Sequence, residues 1–349
     1  MKNNHWQFIE KNRDFILTEK PIPPLAPGEA LIKVAGCGVC HTDISFWHHG
    51  VPTRHPLPLT LGHEISGTVV DGPSEWMGKN AIVPAVLPCG ECDLCRSGRS
   101  NICQNQKMPG NDFDGGFANY VVVPARFLCA VPDSVLKKYP LEMLAVIADA
   151  VSTPYQVIKK SGLNPGDFAI AIGVGGIGIY GALIAKIAGA KVLALDISDE
   201  KLQIASENGI DAVLNTGGMD FKTIKNKIRE IAQKLNAPRY AWKIFEFSGT
   251  KAGQEMGFNL LTYASTMSVV GFTLDKLEVR ISNLMAFDAQ LTGTWGCKPE
   301  LYPEVVDLVG SGKIPIDRFV QILPMSEING VFRNTLEHKY LKRVVLITG

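Results

Sequence analysis

The densest group of chemically active residues in the sequence is a run of cysteines between positions 89 and 103. Cys89, Cys92, Cys95 and Cys103 follow the spacing C-x2-C-x2-C-x7-C, which lets four thiolates enclose one zinc ion and leave it no open position. A disulfide staple and a redox centre are the alternatives. The polar start of the chain lacks the apolar core of a signal peptide, so we expect a cytoplasmic protein, and structural disulfides are rare in that compartment. The segment is therefore predicted to be a structural zinc lobe.

Three further potential metal ligands lie far apart in the sequence. Cys40 stands in GCGVCHTD, His63 in LGHEISG, and Asp149 in the apolar stretch EMLAVIADAVSTPY. Cysteine, histidine and carboxylate ligands suit a catalytic zinc, which keeps one position open for water or substrate. Spacings of 23 and 86 residues do not by themselves separate this interpretation from a core cysteine, a loop histidine and a helix cap.

The segment GVGGIG matches the G-x-G-x-x-G pattern of dinucleotide-binding loops. Its first glycine permits a tight turn, its second lets the backbone approach a pyrophosphate, and its third lets the following helix pack on the preceding strand. The strand and the helix that this motif requires are both indicated by the flanking sequence. A helix N-terminus at this point would bind the phosphates of a dinucleotide. The residues predicted to contact the cofactor are Gly173, Gly175, Gly176, Ile177 and Gly178.

An acidic residue ends the next predicted strand, as the dinucleotide motif requires. Asp196 follows Gly178 by 18 residues and can accept hydrogen bonds from both hydroxyls of the adenosine ribose. Its carboxylate would repel a 2′-phosphate, so NAD is predicted over NADP. Lys201, one helical turn further on, is a candidate for the same ribose and equally for a solvated helix lysine.

Two kinds of secondary structure must position these residues. The first 150 residues contain short β-rich segments separated by Pro and Gly, whereas strands alternate with helices from Phe168 onward. The second pattern is typical of a doubly wound parallel sheet. We therefore predict an α/β protein with an irregular β domain over residues 1–150, a dinucleotide-binding domain over 151–290, and a return to the first domain over 291–349.

The charge and hydropathy of the chain exclude several classes of partner. Its 35 basic and 34 acidic residues leave a net charge of +1, which gives no electrostatic basis for binding nucleic acid or an anionic membrane. Glycines and charged residues interrupt the apolar stretches before they reach spanning length, so no transmembrane helix is expected. We expect a small-molecule substrate.

In their order along the chain, the motifs CGVCHTD, GHEISG, CGECDLCRSGRSNIC, DAVSTPY and GVGGIG resemble those of the zinc-dependent medium-chain alcohol dehydrogenase family. The resemblance covers nearly the whole chain. It implies a GroES-like catalytic domain, a Rossmann domain, and two zinc ions per chain. It further implies that the catalytic zinc is held by Cys40, His63 and Asp149, that Glu64 approaches or transiently binds this zinc, and that Asp43 orients the histidine ligand.

The same resemblance implies how the reaction proceeds. Zinc polarises the oxygen of an alcohol, and NAD accepts a hydride from its carbon. Thr42 stands at the position whose hydroxyl bonds to the substrate oxygen and begins a proton relay. Ser45 occupies a place where the family often has histidine, so the proton route through Ser45 or through His48 or His49 stays open. His41 occupies a common cofactor-phosphate position, and a solvated loop histidine is the alternative.

The substrate is defined least well by the sequence. Phe46, Trp47 and Trp295 are candidates to line an apolar cleft, and Arg54 and Lys298 are candidates to contact phosphates. A secondary alcohol carried on a CoA thioester and a simple alcohol or polyol stay open as substrates. A zinc-free quinone or enoyl reductase and a non-catalytic NAD-binding protein are the rival functions.

The resemblance also implies a homo-oligomer. Rossmann domains of the family pair through an edge strand, which here corresponds to Ala289–Trp295. A tetramer is favoured, and a dimer is the alternative.

Overall fold

The computed structural model describes residues 2–348. Contacts between residues divide the chain into two compact units. Unit 1 comprises Met1–Ser152 and Gly296–Gly349, and unit 2 comprises Thr153–Trp295. Unit 1 carries both groups of potential metal ligands, and unit 2 carries the glycine-rich loop.

The strands alternate with turns in the first part of the chain and with helices in the second. They are β1 (Lys2–Phe8), β2 (Ile16–Pro21), β3 (Glu29–Gly38), β4 (Leu59–Thr60), β5 (Glu64–Asp71), β6 (Asn80–Val83), β7 (Tyr120–Pro124), β8 (Cys129–Ala130), β9 (Phe168–Ile172), β10 (Lys191–Asp196), β11 (Ala212–Asn215), β12 (Lys243–Glu246), β13 (Thr266–Val269), β14 (Gln290–Gly293), β15 (Val320–Pro324) and β16 (Arg343–Ile347).

The first three helices, all in unit 1, have four residues each, and the later ones have six to fourteen. In chain order the helices are α1 (His41–Ile44), α2 (Asp93–Arg96), α3 (Asp133–Leu136), α4 (Ser152–Lys160), α5 (Gly178–Ile187), α6 (Asp199–Glu207), α7 (Phe221–Lys234), α8 (Lys251–Asn259), α9 (Ser282–Phe287), α10 (Tyr302–Gly310) and α11 (Ile328–Leu336). A π-helical turn, Ser45–His49, follows α1, and a 3₁₀ helix, Leu141–Ala148, precedes α4.

Unit 1 is built on two sheets. Among the described residues, one sheet has the strand order β2-β1-β4, and the other has the order β15-β16-β3-β5-β6-β8, with β7 also pairing with β3. Strands β3 and β5 are antiparallel, and Gly38 stands opposite Glu64. This register brings the end of β3 next to the start of β5, where the motifs containing Cys40 and His63 begin.

Unit 2 contains one parallel sheet of order β11-β10-β9-β12-β13-β14 in the described part of the chain. Strand β9, FAIAI, is buried along its whole length, which fits a central strand covered on both faces. From β9 the chain adds β10 and β11 on one side and then β12, β13 and β14 on the other, so the strand order switches between β9 and β12. Ligands of such sheets bind at this switch point, beyond the carboxyl ends of the strands. The prediction of a doubly wound parallel sheet is confirmed.

Two aromatic residues do not lie where the sequence suggested. Phe46 and Trp47, expected to line an apolar cleft, are 6% and 5% exposed and belong to the hydrophobic core of unit 1. Trp47 packs edge-on against Phe332 of α11, and its Nε1 donates to the carbonyl of Arg13. The π-helical turn points these two side chains inward.

One segment, Leu141–Lys160, is long and apolar enough by composition to cross a membrane. However, 72% of it is buried within the protein, as in a core segment. The apolar character therefore belongs to the interior of the fold.

Candidate active site

The four clustered cysteines form one compact group. Neighbouring sulfur atoms are 3.5 Å apart for Cys92 and Cys95, 3.5 Å for Cys89 and Cys103, 3.7 Å for Cys92 and Cys103, and 4.0 Å for Cys89 and Cys95. Four sulfurs bound tetrahedrally at zinc–sulfur distances of about 2.3 Å would stand about 3.8 Å apart. The donor set and its spacing therefore fit a closed, structural zinc site.

Local backbone geometry explains how a short loop can gather these thiols. Gly90 and Gly98 have φ angles of 76° and 75°, a left-handed conformation that glycine adopts at little cost. The backbone N–H groups of Glu91 and Cys92 lower the pKa of Cys89 to about 6, which favours its thiolate, whereas burial raises the pKa of Cys95 to about 12. These features make the loop a preformed cradle for a cation.

A second group brings together residues from three separate parts of the chain. Cys40, His63, Glu64 and Asp149 each offer a ligand atom, and these atoms lie within 4.8 Å of one another. Asp149 Oδ2 is 3.6 Å from Cys40 Sγ and 3.7 Å from His63 Nε2. The pairing of β3 with β5 joins Cys40 to His63, and the end of the 3₁₀ helix delivers Asp149. One thiol, one imidazole and one carboxylate converging in this way fit a three-ligand zinc site.

Asp43 lies beside the histidine of this group and is fully buried. Its Oδ2 accepts a hydrogen bond of 2.9 Å from the N–H of Cys40, and its Oδ1 accepts one of 3.2 Å from the N–H of Gly62. Oδ1 is also 3.4 Å from His63 Nδ1, which is an ion-pair distance without hydrogen-bond alignment. Asp43 thus caps α1 and faces the imidazole nitrogen opposite Asp149, as a carboxylate that orients a histidine ligand must.

The electrostatic surroundings of His63 favour positive charge. Burial lowers the pKa of the imidazole, but the nearby carboxylates Asp43 and Asp149 outweigh burial and raise this pKa well above its usual value. The same negative surroundings would stabilise a bound cation in place of the proton.

Glu64 is buried against an arginine that the sequence did not point to. Arg343, the first residue of β16, donates from Nε to Glu64 Oε2 at 3.0 Å and from Nη2 to Oε1. Both side chains are at most 5% exposed. A Cβ atom on Gly38 would clash with the Glu64 carboxylate, so glycine at that position makes room for the pair. In the sequence, the only mark of Arg343 is that a charged residue begins the otherwise apolar segment RVVLI.

The residues considered for proton transfer have definite partners. Thr42 Oγ1 lies 3.7 Å from Cys40 Sγ, at the edge of the ligand group. The Ser45 hydroxyl donates to the carbonyl of His41 at 2.9 Å, so its proton is directed into α1. His48 Nδ1 lies 2.7 Å from Asn12 Oδ1.

His41 is exposed, and its ring contacts a second histidine ring. Its ring stacks on that of His338 at a centroid distance of 5.6 Å. His338 has a φ angle of 54°, the left-handed conformation. The structure therefore places His41 at the surface of unit 1, next to a second imidazole.

The glycine-rich loop of unit 2 is tightly constrained. Gly173 has a φ angle of 81°, and a Cβ there would lie 2.7 Å from Ser248 Cα. A Cβ on Gly178 would collide with the carbonyl of Gly173. A Cβ on Gly175 would meet only Lys201 Nζ, at 3.8 Å, so the space beside this glycine is open. Gly176 and Ile177 complete the turn before α5 begins.

The acidic residue after β10 is held by three backbone amides. Asp196 Oδ2 accepts from Val174 at 2.9 Å, and Oδ1 accepts from Ile197 at 2.8 Å and from Ser198 at 3.0 Å. Ser198 caps α6, because its side chain accepts from the N–H of Lys201. The carboxylate thus links β10 to the glycine-rich loop and is fixed at the edge where a ribose would bind.

A second acidic residue at this edge was missed by sequence reasoning. Glu246, the last residue of β12, is fully buried, and its Oε1 accepts from the N–H of Ser248 at 2.7 Å and of Gly249 at 3.1 Å. Burial raises the pKa of this carboxyl. Glu246 holds the loop after β12, on the opposite side of the switch point between β9 and β12 from Asp196.

Comparison with known proteins agrees with both units. The family profile described as "Alcohol dehydrogenase GroES-like domain" matches residues 26–133, and the one described as "Zinc-binding dehydrogenase" matches residues 176–311. An alcohol dehydrogenase of Geobacillus stearothermophilus is 31% identical over 330 residues, which cover 93% of this chain and 93% of the relative.

Solved structures agree along the whole chain. The alcohol dehydrogenase of the archaeon Aeropyrum pernix is 28% identical, with a TM-score of 0.85 and 99% of each chain covered. Acetophenone reductase from Geotrichum candidum, solved in complex with NAD, is 27% identical, with a TM-score of 0.85, 99% of this chain and 97% of that chain covered. These matches confirm the expected fold class, the oxidoreductase class and, for the family, NAD and zinc. The chain belongs to the zinc-dependent medium-chain alcohol dehydrogenase family.

Proposed function

We propose that this protein oxidises a secondary alcohol to a ketone and transfers the hydride to NAD. The observation that carries this proposal is the convergence of Cys40, His63 and Asp149 from three separate segments on one point, with Asp43 behind the histidine. A second, closed group of four cysteines accompanies it. A non-catalytic NAD-binding protein would have no need of the first group.

In the proposed reaction the residues of unit 1 hold the metal and handle the proton. Cys40, His63 and Asp149 would bind a catalytic zinc, which when present polarises the alcohol oxygen and lowers its pKa. Thr42, whose hydroxyl lies 3.7 Å from Cys40 Sγ, would receive the proton of the alcohol. A relay through Ser45 requires its hydroxyl to leave the His41 carbonyl and to pass its own proton on as it takes up another. His48 and His49 are the alternative proton acceptors.

Unit 2 would bind the hydride acceptor. The backbone N–H groups at the start of α5 fit a pyrophosphate, and the open space beside Gly175 lets that group approach. Asp196 would accept hydrogen bonds from the ribose hydroxyls and would repel a 2′-phosphate, which supports NAD over NADP. Lys201 lies close enough to the loop to contact the same nucleotide.

For the substrate we propose 6-hydroxycyclohex-1-ene-1-carbonyl-CoA, oxidised to the 6-oxo product in anaerobic degradation of benzoyl-CoA. The support is the resemblance of the whole sequence to the dehydrogenase of this compound. Arg54, one candidate phosphate contact, is 3.4 Å from Asp112 and donates to the carbonyl of Gln106 at 3.2 Å, so it already has protein partners. A general alcohol or polyol dehydrogenase is the second candidate.

A paired-substrate assay tests the choice of substrate. The holoenzyme is given NAD with the CoA thioester, with the corresponding free acid, and with simple secondary alcohols and polyols. The proposal expects the thioester to have a kcat/KM at least tenfold above that of the free acid and of the simple alcohols. Faster turnover of simple alcohols or polyols would assign the second candidate.

We further propose that copies of the chain associate through β14. This strand ends the unit 2 sheet, and its Leu291 is 43% exposed. An exposed apolar residue on an unpaired edge is suited to continue the sheet into a second copy. Light scattering should give four times the 37.9 kDa of one chain, or twice that mass if the assembly stops at a dimer. The mass of a single chain would refute this proposal.

We infer a cytoplasmic location from cysteine chemistry. The eight cysteines, all within the described residues, are free thiols. Thiols that bind metal must stay reduced, and the cytoplasm maintains that state.

A further inference from the structure

Tyr302, the first residue of α10, makes two hydrogen bonds in the interior of unit 1. Its side chain is fully buried. The hydroxyl donates to the carbonyl of Ala148 at 2.5 Å and accepts from the N–H of Ala85 at 3.3 Å. A buried tyrosine hydroxyl needs such partners, and here they come from two different segments of the chain.

The bond to Ala148 falls at a critical place in the chain. Ala148 is the last residue of the 3₁₀ helix Leu141–Ala148, and carbonyls at the end of a helix lack partners within it. The hydroxyl of Ser152 is a second donor to the same carbonyl, at 3.3 Å. Two side-chain hydroxyls therefore fix the peptide between Ala148 and Asp149.

The next residue is the candidate metal ligand. Asp149 has φ −144° and ψ −57°, so the backbone leaves the helical conformation there and turns the carboxylate toward Cys40 and His63. Its Oδ2 is 3.6 Å from the cysteine sulfur and 3.7 Å from the histidine Nε2. Metal–ligand distances vary by only about 0.2 Å, so a small rotation of this peptide would remove the carboxylate from the group.

We propose that Tyr302 is a positioning residue that sets Asp149 for binding the catalytic zinc. This inference rests on the proposed function, in which Asp149 is a ligand of that zinc. Tyr302 does not belong to the ligand group, and its hydroxyl acts on Asp149 through the Ala148 carbonyl, while its second bond joins it to Ala85. Its removal should therefore affect one metal site and leave the other unchanged.

The test is a zinc-competition titration of the holoenzyme and of Tyr302→Phe with a chromogenic chelator. Phenylalanine retains the ring that fills the interior and removes only the hydroxyl. We expect the affinity for one zinc ion per chain to fall about 10- to 100-fold, as with other groups that orient metal ligands, and the affinity for the zinc of the cysteine lobe to be unchanged. Ser152→Ala should give a smaller loss at the same site. Tyr139→Phe, which removes the hydroxyl of another buried tyrosine of unit 1, is the matched control and should change neither site.

Cobalt substitution separates positioning from general destabilisation. The visible spectrum of cobalt bound by Cys40, His63 and Asp149 should shift in Tyr302→Phe, whereas that of the four-cysteine site should not. Equal weakening of both sites, or unchanged zinc affinity and cobalt spectrum in Tyr302→Phe, would overturn the inference. Asp149→Ala tests the premise separately, because a variant that keeps both zinc ions at full affinity would refute Asp149 as a ligand whatever Tyr302 does.

Discussion

At the level of single residues, three carboxyl groups near Cys40 and His63, of which Asp43 and Glu64 are fully buried, have three different surroundings. Asp43 accepts two backbone N–H groups and faces the histidine, and Glu64 is paired with Arg343 on two atoms. Asp149 faces the thiol and the imidazole directly. In the proposed site the same chemical group would orient a ligand as Asp43 and bind the metal as Asp149, whereas Glu64 forms an ion pair.

A residue-scale prediction concerns the choice of cofactor. Asp196→Asn removes the negative charge that would accept from the ribose and repel a 2′-phosphate. Hydrogen bonds to charged groups contribute about 1.5–3 kcal/mol, so kcat/KM with NAD should fall about 10- to 100-fold while kcat/KM with NADP falls less or rises. Steady-state kinetics with both cofactors measure this ratio.

The ratio also separates ribose recognition from damage to the loop. Loss of the bond from Val174 to Asp196 would impair both cofactors equally. Asp199→Asn is the matched control. Asp199 begins α6, three residues after Asp196, and its carboxylate accepts a hydrogen bond from Asn215. An unchanged NAD/NADP ratio in Asp196→Asn, or a wild-type preference for NADP, would contradict the assignment.

The site could be predicted from sequence only where a motif or a resemblance marked the residue. The glycines of the loop and Asp196 follow from a local pattern, and Cys40, His63 and Asp149 from the order of motifs along the chain. Arg343 belongs to no motif, and its role becomes evident only when β16 brings it to Glu64, 279 positions away. Glu246 belongs to no motif either, and its bonds to the N–H groups of Ser248 and Gly249 are visible only in the folded loop.

At the level of elements, the cysteine lobe is a loop with little secondary structure and little burial of its own. Segment 89–103 contains one four-residue α-helix and a 3₁₀ turn, and of its cysteines only Cys103 is buried. So little apolar burial cannot stabilise the loop, and the binding free energy of a zinc ion would replace it. The Ser100 hydroxyl, which donates to Glu300 at 2.9 Å, anchors the lobe to the rest of unit 1.

Removal of one thiol from the lobe should therefore cost stability. We expect Cys95→Ser to lose one zinc ion per chain, which metal analysis measures. Its free energy of unfolding, measured by urea denaturation, should fall by several kcal/mol. Cys129→Ser is the control, because burial raises the pKa of that thiol to about 11 and it belongs to neither ligand group. Equal zinc content and stability in Cys95→Ser and in the wild type would argue against a structural metal.

Glu246 gives an element-scale prediction about pH. Burial raises the pKa of its carboxyl, so the folded chain keeps this proton to higher pH than the unfolded chain does. Its contribution to stability is therefore complete below the ordinary glutamate pKa of about 4.3 and is lost as pH rises through the folded-state pKa. Glu246→Gln cannot titrate and retains an acceptor for the loop after β12.

The comparison is made by urea denaturation of wild type and Glu246→Gln at a series of pH values above 4. The variant should gain stability relative to the wild type as pH rises, with a slope of at most about 1.4 kcal/mol per pH unit. Parallel stability curves for the two proteins would show that this carboxyl does not titrate differently on folding.

At the level of the whole molecule, the strand arrangement of unit 2 can be predicted from the sequence better than that of unit 1. In unit 2 strands alternate with helices from β9 onward, so the local pattern alone predicts a parallel sheet, and the structure contains one. In unit 1, sheets are completed by strands from both ends of the chain. The pairing of β16 with β3 joins residues more than 300 positions apart, and no local pattern encodes such contacts.

We expect unit 1 to hold one catalytic and one structural zinc ion. The most direct measurement is the number of zinc ions per chain, determined by elemental mass spectrometry for the purified wild-type protein and for His63→Ala. The two ligand groups predict about two zinc ions per wild-type chain and about one in the variant, together with loss of NAD-dependent alcohol oxidation. About one ion in the wild type would mean an inactive catalytic site, and none would contradict the account and favour a zinc-free reductase.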